Sequence, residues 1–527
     1  MTDYRTSSHK PLTIIALLIA ITSTALAQGS TFPDTVMPSA THIIYTVHYH
    51  DTAHSGVISN PQSLFPDNGD ILTFRGNAFR SAPFTGVVAG QPDTIMTDWT
   101  FTTDYDARPN GYGLWGGGNG WTGQPLFVCW NDSMYHLFRN DTVNTTHNFG
   151  HRELIIASLC SRLYFINFDN GKESRQSIFV GNPIKGTPTM DPTYNGNIYI
   201  GHGVPCQTPF GAVTVNLFRH GITHVISQDD NAWRSWGAFD SSPVRVGDFL
   251  FRPGENGTLY KFRIDADTLI LHSTLRFILP EKEDAGGIEA SMAVYRNYGF
   301  LADNHGNIVC VDLNDLQPVW HYNNHDDTDA SLLLQQEGDS LFLYTGCEVD
   351  NQGLHGYCFF VKLNATTGLP VWEQKLPCQK AKVTGKYFDG GLFSTPLPGI
   401  GNCKDLIFLN LVTNETPGPR GEFVALNRHD GSIAYRTKLQ RYAWSSPVAM
   451  VNEKDEVFVF TADTQGRVYL INGMTGKIII SKKIGENFEA SPIVVGNNVI
   501  IGSRGRKIYK LSIMQSPFAK AAEQYNW

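Results

Sequence analysis

A phrase of small residues recurs eight times along this chain, each time opening an apolar run. The instances are Gly123-Gln124-Pro125, Gly186-Thr187-Pro188, Ser241-Ser242-Pro243, Ala290-Ser291-Met292, Ala330-Ser331-Leu332, Ser394-Thr395-Pro396, Ser445-Ser446-Pro447 and Ala490-Ser491-Pro492. Repetition at this spacing restricts the fold strongly, because a short unit can bury its apolar face only by stacking on its neighbours. After each phrase comes a second apolar strand, then a third of alternating type at 257–264, 306–313, 421–428 and 466–473. A turn leads to a fourth strand at 317–322, 369–374, 432–437 and 477–482. Each unit reads as a four-stranded antiparallel meander, so the pattern predicts an all-β chain folded as an eight-bladed β-propeller. Small residues suit the crowded hub, and proline is tolerated where a first strand residue need not donate to a ladder. Trp320, Trp372 and Tyr435, late in fourth strands, are placed to fill the gaps between blades.

The last copy ends after three strands, at 506–513. An unpaired edge there would leave the ring open. The stretch 96–103 precedes the first phrase and reads as a fourth strand, with Trp99 where Trp320 and Trp372 stand. It is expected to pair with 506–513 and complete the eighth blade. The chain then divides into a signal peptide at 1–27, an extension at 28–95 packing on the ring, the propeller at 96–513 and a polar tail at 514–527.

The leader reading rests on Arg5 and Lys10 before the apolar run 12–21, with Ala25-Leu26-Ala27 at the cleavage positions. That run is short for a membrane span, and no later run approaches about 20 apolar residues, so no transmembrane segment is expected in the mature chain. Gln28 rather than cysteine follows the expected cut, so no lipid anchor is indicated. The expected location is the periplasm or the extracellular space, as a monomer. A formal net charge of -8 excludes non-specific nucleic-acid binding, which needs a basic surface. Eight cysteines include no CxxC pair, so neither zinc nor a redox motif is indicated. Cys347 and Cys358 are plausible neighbours across a turn, whereas Cys129, Cys160 and Cys310 lie in apolar runs and read as buried thiols.

In such blades the loops entering the first strand and those joining the second to the third emerge on one face. Asp240, Glu289, Asp329 and Glu489 stand before first strands, with Lys185 and Trp444 in equivalent places. Glu255 with Asn256, Asp303, Glu348 with Asp350, and Asp463 stand at second-to-third turns, opposed by Arg504. These residues are expected to converge on one mouth of the channel, joined by Trp121 and Gln124 from the first blade. Clustered carboxylates need a counter-charge. Calcium held by Asp240, Glu289 and Asp329, a cationic ligand, or Lys185 and Arg504 would supply one. Asp303 and Asp463 also fit ordinary turn roles. Trp115, Trp121 and Trp444 could stack on a sugar ring or planar ligand. The glycines between Trp115 and Trp121 are expected to let the backbone approach the axis, and no Lys-Ser/Thr follows them as in a phosphate loop. Arg75 and Asn77 are expected to reach the channel from the extension.

The phrases GRVYLINGMTGKII (466–479) and WSSPVAM (444–450) resemble the pyrroloquinoline-quinone-like (PQQ-like) propeller repeat family over about 96–513, most strongly from Phe393 onward. That family includes quinoprotein alcohol dehydrogenases and the outer-membrane assembly propeller lipoprotein. FRGN (74–77), GLWGGGNGWTGQP (113–125) and PGENGTLY (253–260) resemble an exported bacterial subgroup. The dehydrogenases imply an adjacent Cys-Cys pair above the quinone, a Trp beneath it and calcium held by Glu, Asn and Asp beside a catalytic Asp. This chain has no adjacent cysteines, a departure that speaks against PQQ. It also has no GxSxG elbow or HExxH site. The expected function is therefore an exported non-catalytic binding or scaffold protein. Its acidic, aromatic-lined mouth would take a ligand, a polysaccharide or a protein partner of the cell envelope. The alternatives are a calcium- and PQQ-dependent dehydrogenase and an outer-membrane protein assembly factor, the latter by fold analogy alone.

Overall fold

The computed structural model describes residues 42–516 except 82–85, 122, 267, 384 and 416–418; the expected leader lies outside that range. Eight antiparallel sheets stand in a ring, one for each small-residue phrase, numbered here as blades one to eight in that order. Blade four shows the plan: Ala293–Tyr295 at the hub, then Tyr298–Ala302, Asn307–Asp312 and Gln317–Asn323 at the rim. The middle strands are buried on both faces, as in Asn307–Asp312, because each blade is sandwiched between two others.

Blade eight supplies Ile493–Val495, Asn498–Gly502 and Lys507–Met514, and Thr94–Thr102 completes it as the antiparallel outer strand. The pairing runs from Thr94 opposite Met514 to Thr102 opposite Lys507, with a bulge between Thr97 and Trp99. The expected closure is present, beginning two residues earlier than the pattern indicated. Rim aromatics fasten four of the blades to the next. Trp320 Nε1 donates to Ala365 O, Trp372 Nε1 to Arg428 O and Trp99 Nε1 to Phe168 O, each at 3.0 Å, and Tyr435 Oη donates to Gly473 O at 2.6 Å. The turn receiving each ring carries a glycine beneath it. At Gly171 (φ +70°) a Cβ would stand 2.5 Å from the Trp99 ring, so both conformation and space demand glycine. Trp99 therefore latches blade eight to blade one as Trp320 latches blade four to blade five.

At the hub the middle residue of the phrase does more than stay small. Gln124 N donates to Thr187 Oγ1 at 2.8 Å, Ser242 N to Ser291 Oγ and Ser291 N to Ser331 Oγ at 2.9 Å, Thr395 N to Ser446 Oγ at 3.0 Å, and Ser446 N to Ser491 Oγ at 3.1 Å. Each hydroxyl satisfies an amide of the preceding blade that would otherwise be buried unpaired. Ser491 N returns to Gly123 O at 3.2 Å. The glycine run abuts blade eight: a Cβ at Gly118 would stand 1.9 Å from Ser503 O.

The extension does two things. Ile44–Tyr49 adds a fifth strand to the rim of blade three, against Thr268–Ile278. Residues 71–81 and 86–88 then plug the hub. Ile71 exchanges both backbone hydrogen bonds with Phe127 of blade one, and Met190 N, Val294 N and Leu334 N donate to Leu72 O, Ala78 O and Phe79 O. Gly86–Val87 runs parallel to Val448–Val451 of blade seven. All these partners lie downstream of their opening phrases, so the plug closes the end of the channel opposite the strand-entering loops. Arg75 reaches the hub, donating through Nη1 to Pro447 O at 3.0 Å, whereas Asn77 turns back to Ser81 Oγ at 3.2 Å.

One cysteine expectation changes. Cys129 is exposed at the end of Leu126–Cys129, where the strand leaves the hub. Cys347 and Cys358 are buried and free, the Cys347 sulfur accepting from Phe359 N at 3.3 Å. Cys160 and Cys310 are buried thiols as expected.

Candidate functional site

The mouth is built by loops with opposed chemistry on its two sides. On blades two to five, hairpin geometry delivers carboxylates one after another. Asp240 and Glu289 stand just before the opening phrases of blades three and four, and Glu255 sits on the second-to-third turn of blade three, after Phe249–Gly254. One carboxylate oxygen from each of Asp240, Glu255 and Glu289 lies within 4.8 Å of the other two. Asp240 is 1% exposed and Glu255 2% exposed, so water does not compensate their charge. Lys185 forms an ion pair with Asp240 and stands 5.9 Å from the centre of the Trp121 ring. Trp236 Nε1 donates to Glu255 Oε2 at 2.6 Å, and Asn304 Nδ2 donates to Glu289 Oε1 at 3.3 Å. Asp240 Oδ1 and Glu255 Oε1 are buried without a partner among the described residues.

A second acidic group adjoins the first. Asn304 Nδ2 also donates to both carboxylate oxygens of Asp327 at 3.1 Å, linking Glu289 to Asp327. Asp327 feels Glu289, and Glu348 feels Asp329 and Asp327. Burial, then Glu289 and Asp240, holds the Glu255 carboxyl well above its usual range. Burial raises Asp240 against the pull of Lys185, and burial with Glu289 pushes Asp327 up to about 8. Asp329 also stands well above the carboxylate range, from burial, then Asp327 and Glu289, and Glu348 does so from burial, then Asp329. Lys185 is held above the usual lysine value: its burial acts the other way, but Asp240, Glu255 and Glu289 outweigh it. One ammonium among so many acids leaves the cluster seeking protons or a cation.

The other side of the mouth is aromatic. Trp444 lies between Phe393, at 5.2 Å, and Tyr442, at 5.5 Å. Arg504 pairs with Glu489 at 3.2 Å and stands 5.0 Å from the centre of the Trp115 ring, and Asn487 Nδ2 donates to Glu489 Oε1 at 2.7 Å.

The structure redistributes several residues expected here. In place of Asp329, Glu255 joins Asp240 and Glu289; Asp329 belongs to the second acidic group. Gln124 lies below the mouth, where its Oε1 accepts from Arg75 N at 3.2 Å and its Nε2 donates to Thr73 O at 3.3 Å. Asn256 is buried between blades two and three, donating to Gln228 O at 2.8 Å and to Tyr260 Oη at 2.6 Å. Glu489 and Arg504 form a closed pair of their own. Asp350 is engaged by Lys380 at 2.9 Å. Asp303 and Asp463 shape their turns, accepting from Asn307 N and from Gln465 N at 2.9 Å. Asp327, Asn304 and Trp236 were not singled out from the sequence. Asp327 stands two residues before Asp329 and Asn304 directly after Asp303, so the positional rule that found their neighbours reaches them if widened.

The family described as PQQ_2, outer membrane protein assembly factor BamB, matches residues 417–515. BamB from Moraxella catarrhalis superposes with a TM-score of 0.51 at 13% identity, covering 80% of this chain and 100% of that one. A europium-containing methanol dehydrogenase gives a TM-score of 0.57 at 12% identity, covering 85% and 99%. Quinohemoprotein alcohol dehydrogenase from Comamonas testosteroni gives 0.57 at 12% identity, covering 86% and 82%. No curated protein matches the sequence. The chain thus shares the PQQ-like propeller fold, as the resemblance implied, and at these identities the likeness concerns the fold.

The donor set decides which groups the mouth suits. A quinone cofactor bearing carboxylates of its own would enter a field of buried acids whose nearby cations, Lys185 and Arg504, are already paired. The residues do not fit it. Calcium fits better: it binds hard oxygens at about 2.3–2.6 Å, so oxygens within 4.8 Å of one another can all touch one ion.

Proposed function

We propose that this chain is an exported, non-catalytic propeller whose mouth binds a divalent cation of the calcium class. Its aromatic side would then be offered to a glycan or protein partner of the cell envelope. The observation carrying this reading is the meeting of Asp240, Glu255 and Glu289 with two buried, unpartnered carboxylate oxygens. An ion there would offset the repulsion that now raises these acids. Trp121, beside Lys185, and Trp444, between Phe393 and Tyr442, would supply stacking area for a ring or an apolar side chain. Titration calorimetry of chelator-treated protein with calcium tests the reading. Saturable binding that weakens at least tenfold in Glu255→Gln supports it; absence of heat in the wild type refutes it.

A second reading is favoured by the family match over 417–515: a scaffold acting in outer-membrane protein assembly. Capture of barrel-assembly components by purified protein from envelope extract, lost on Trp444→Ala, would support it. Failure to retain any of them would remove it.

A further inference from the structure

Between the closing strand and the first opening phrase the chain doubles back as a short hairpin, 105–116, with bridges between Asp106 and Gly116 and between Asn110 and Gly113. Its base is pinned to the mouth face of blades one and two. Arg108 Nη2 donates to Asp106 Oδ2 at 2.6 Å, Ser161 Oγ at 2.9 Å and Gly181 O at 2.8 Å, and Nη1 donates to Gln207 Oε1 at 2.9 Å. Beyond the hairpin the backbone is packed in: a Cβ at Gly117 would stand 2.3 Å from Asp104 O. Two weak contacts fasten the tip. Asn110 Nδ2 donates to Cys206 Sγ at 3.3 Å, and a thiol sulfur is a poor acceptor. Tyr112 stands edge-on to Trp236 with ring centres 4.8 Å apart. Tyr112 is 60% exposed and Leu114 59% exposed, and Gly113, at φ +104°, has no atom within 4 Å of where a Cβ would stand.

The tip rests on the roof of the acidic cluster. Trp236, which carries Tyr112, donates its Nε1 to Glu255 Oε2 at 2.6 Å and packs against Phe210, ring centres 6.1 Å apart. Asp240 and Glu255 are buried beneath it, so an ion reaches them after something moves aside, and a metal site needs such an entry path. A rigid base with a loosely held, solvent-facing tip marks the segment that opens at least cost.

We propose that residues 110–114 are a flap that gates the cation site, with Tyr112 as its catch on Trp236; the gating role rests on the cation reading given above. Shut, the Tyr112 ring keeps the indole of Trp236 on Glu255, and the cluster is closed to water. Open, Trp236 is free to turn away, and Glu255 meets solvent. Arg108 holds the base throughout, so the flap lifts while the blades stay in place. A cover that lifts for entry and exit alike changes both rates together and leaves the affinity nearly unchanged. Tyr112 is therefore a gating residue and not a ligand.

Cys206, bonded by Asn110, reports the flap directly. Alkylation by iodoacetamide, resolved by peptide mass spectrometry, should label Cys206 roughly two- to tenfold faster in Tyr112→Ala than in the wild type, the scale of one lost aromatic contact. Cys129, exposed in blade one, should keep its wild-type rate, and Tyr112→Trp should restore slow labelling of Cys206. In stopped-flow mixing with chelator, calcium should leave Tyr112→Ala faster by the same factor, while its Kd stays within about twofold of the wild type. Unchanged labelling of Cys206, or equal acceleration at Cys129, overturns the flap. Calcium leaving at the wild-type rate, or a Kd that rises in step with the off-rate, overturns the gating role. A wild type that binds no calcium refutes the cation reading and the gating with it; faster Cys206 labelling in Tyr112→Ala would then still establish the flap.

Discussion

Trp99→Ala tests how the ring is shut. Trp99 lies on the closing strand Thr94–Thr102, its ring over Gly171 and its Nε1 bonded to Phe168 O at 3.0 Å. Truncating a buried tryptophan costs about 3–5 kcal/mol. Trp99 is partly buried, which places the packing loss below that range at about 2 kcal/mol, and the lost hydrogen bond adds about 1 kcal/mol. A total of about 3 kcal/mol corresponds to roughly a hundredfold easier opening. Blade eight is the one blade assembled from both ends of the ring, so that opening should be local: Thr94–Thr102 can peel from Lys507–Met514 without any other blade unfolding. Native-state hydrogen exchange is the assay. Amides of the two strands should lose protection together by roughly a hundredfold while blade four, far from the seam, keeps its own. The reasoning fails if the two strands keep wild-type protection, or if blade four loses protection equally, since the seam would then not be the separable element.

Asp327→Asn should change how stability depends on pH in the cation-free protein. Asp327, pushed up to about 8, holds its proton more tightly when folded than when unfolded, where an aspartate titrates near about 3.9. The folded state therefore loses stability as pH rises from about 4 to about 8. The neutral variant escapes that loss, matching the wild type at low pH and exceeding it by about 2 kcal/mol above pH 8 in urea denaturation with chelator present; parallel pH profiles would refute this. Ser446→Ala deprives the buried Thr395 amide of its acceptor and should cost about 1–2 kcal/mol. An unchanged urea midpoint would mean that the hub hydroxyls act only through their small size.

The architecture was legible because its signals are local. The small-residue phrase, the third strand that follows a glycine turn and the rim aromatic recur at fixed offsets, and those offsets count the blades and expose the missing fourth strand. Trp99 could be placed by analogy with Trp320 because both play the same part in the same unit. The hydroxyl belt was less legible: serine and threonine in the phrase read as small residues, and their bonding to the next blade appears only when the hubs are set side by side.

By itself the sequence determined an all-β ring, its eight units, its seam and the face on which acids gather. Tertiary structure decided which acids meet, putting Glu255 rather than Asp329 with Asp240 and Glu289, and drawing Gln124 and Asn256 away from the mouth. It also decided that the extension would plug the far end with Arg75. The physical reason is one of range: a repeat fixes each residue's place within its blade. Contact across the axis depends on loop length, side-chain reach and the angle between sheets, which no periodicity records.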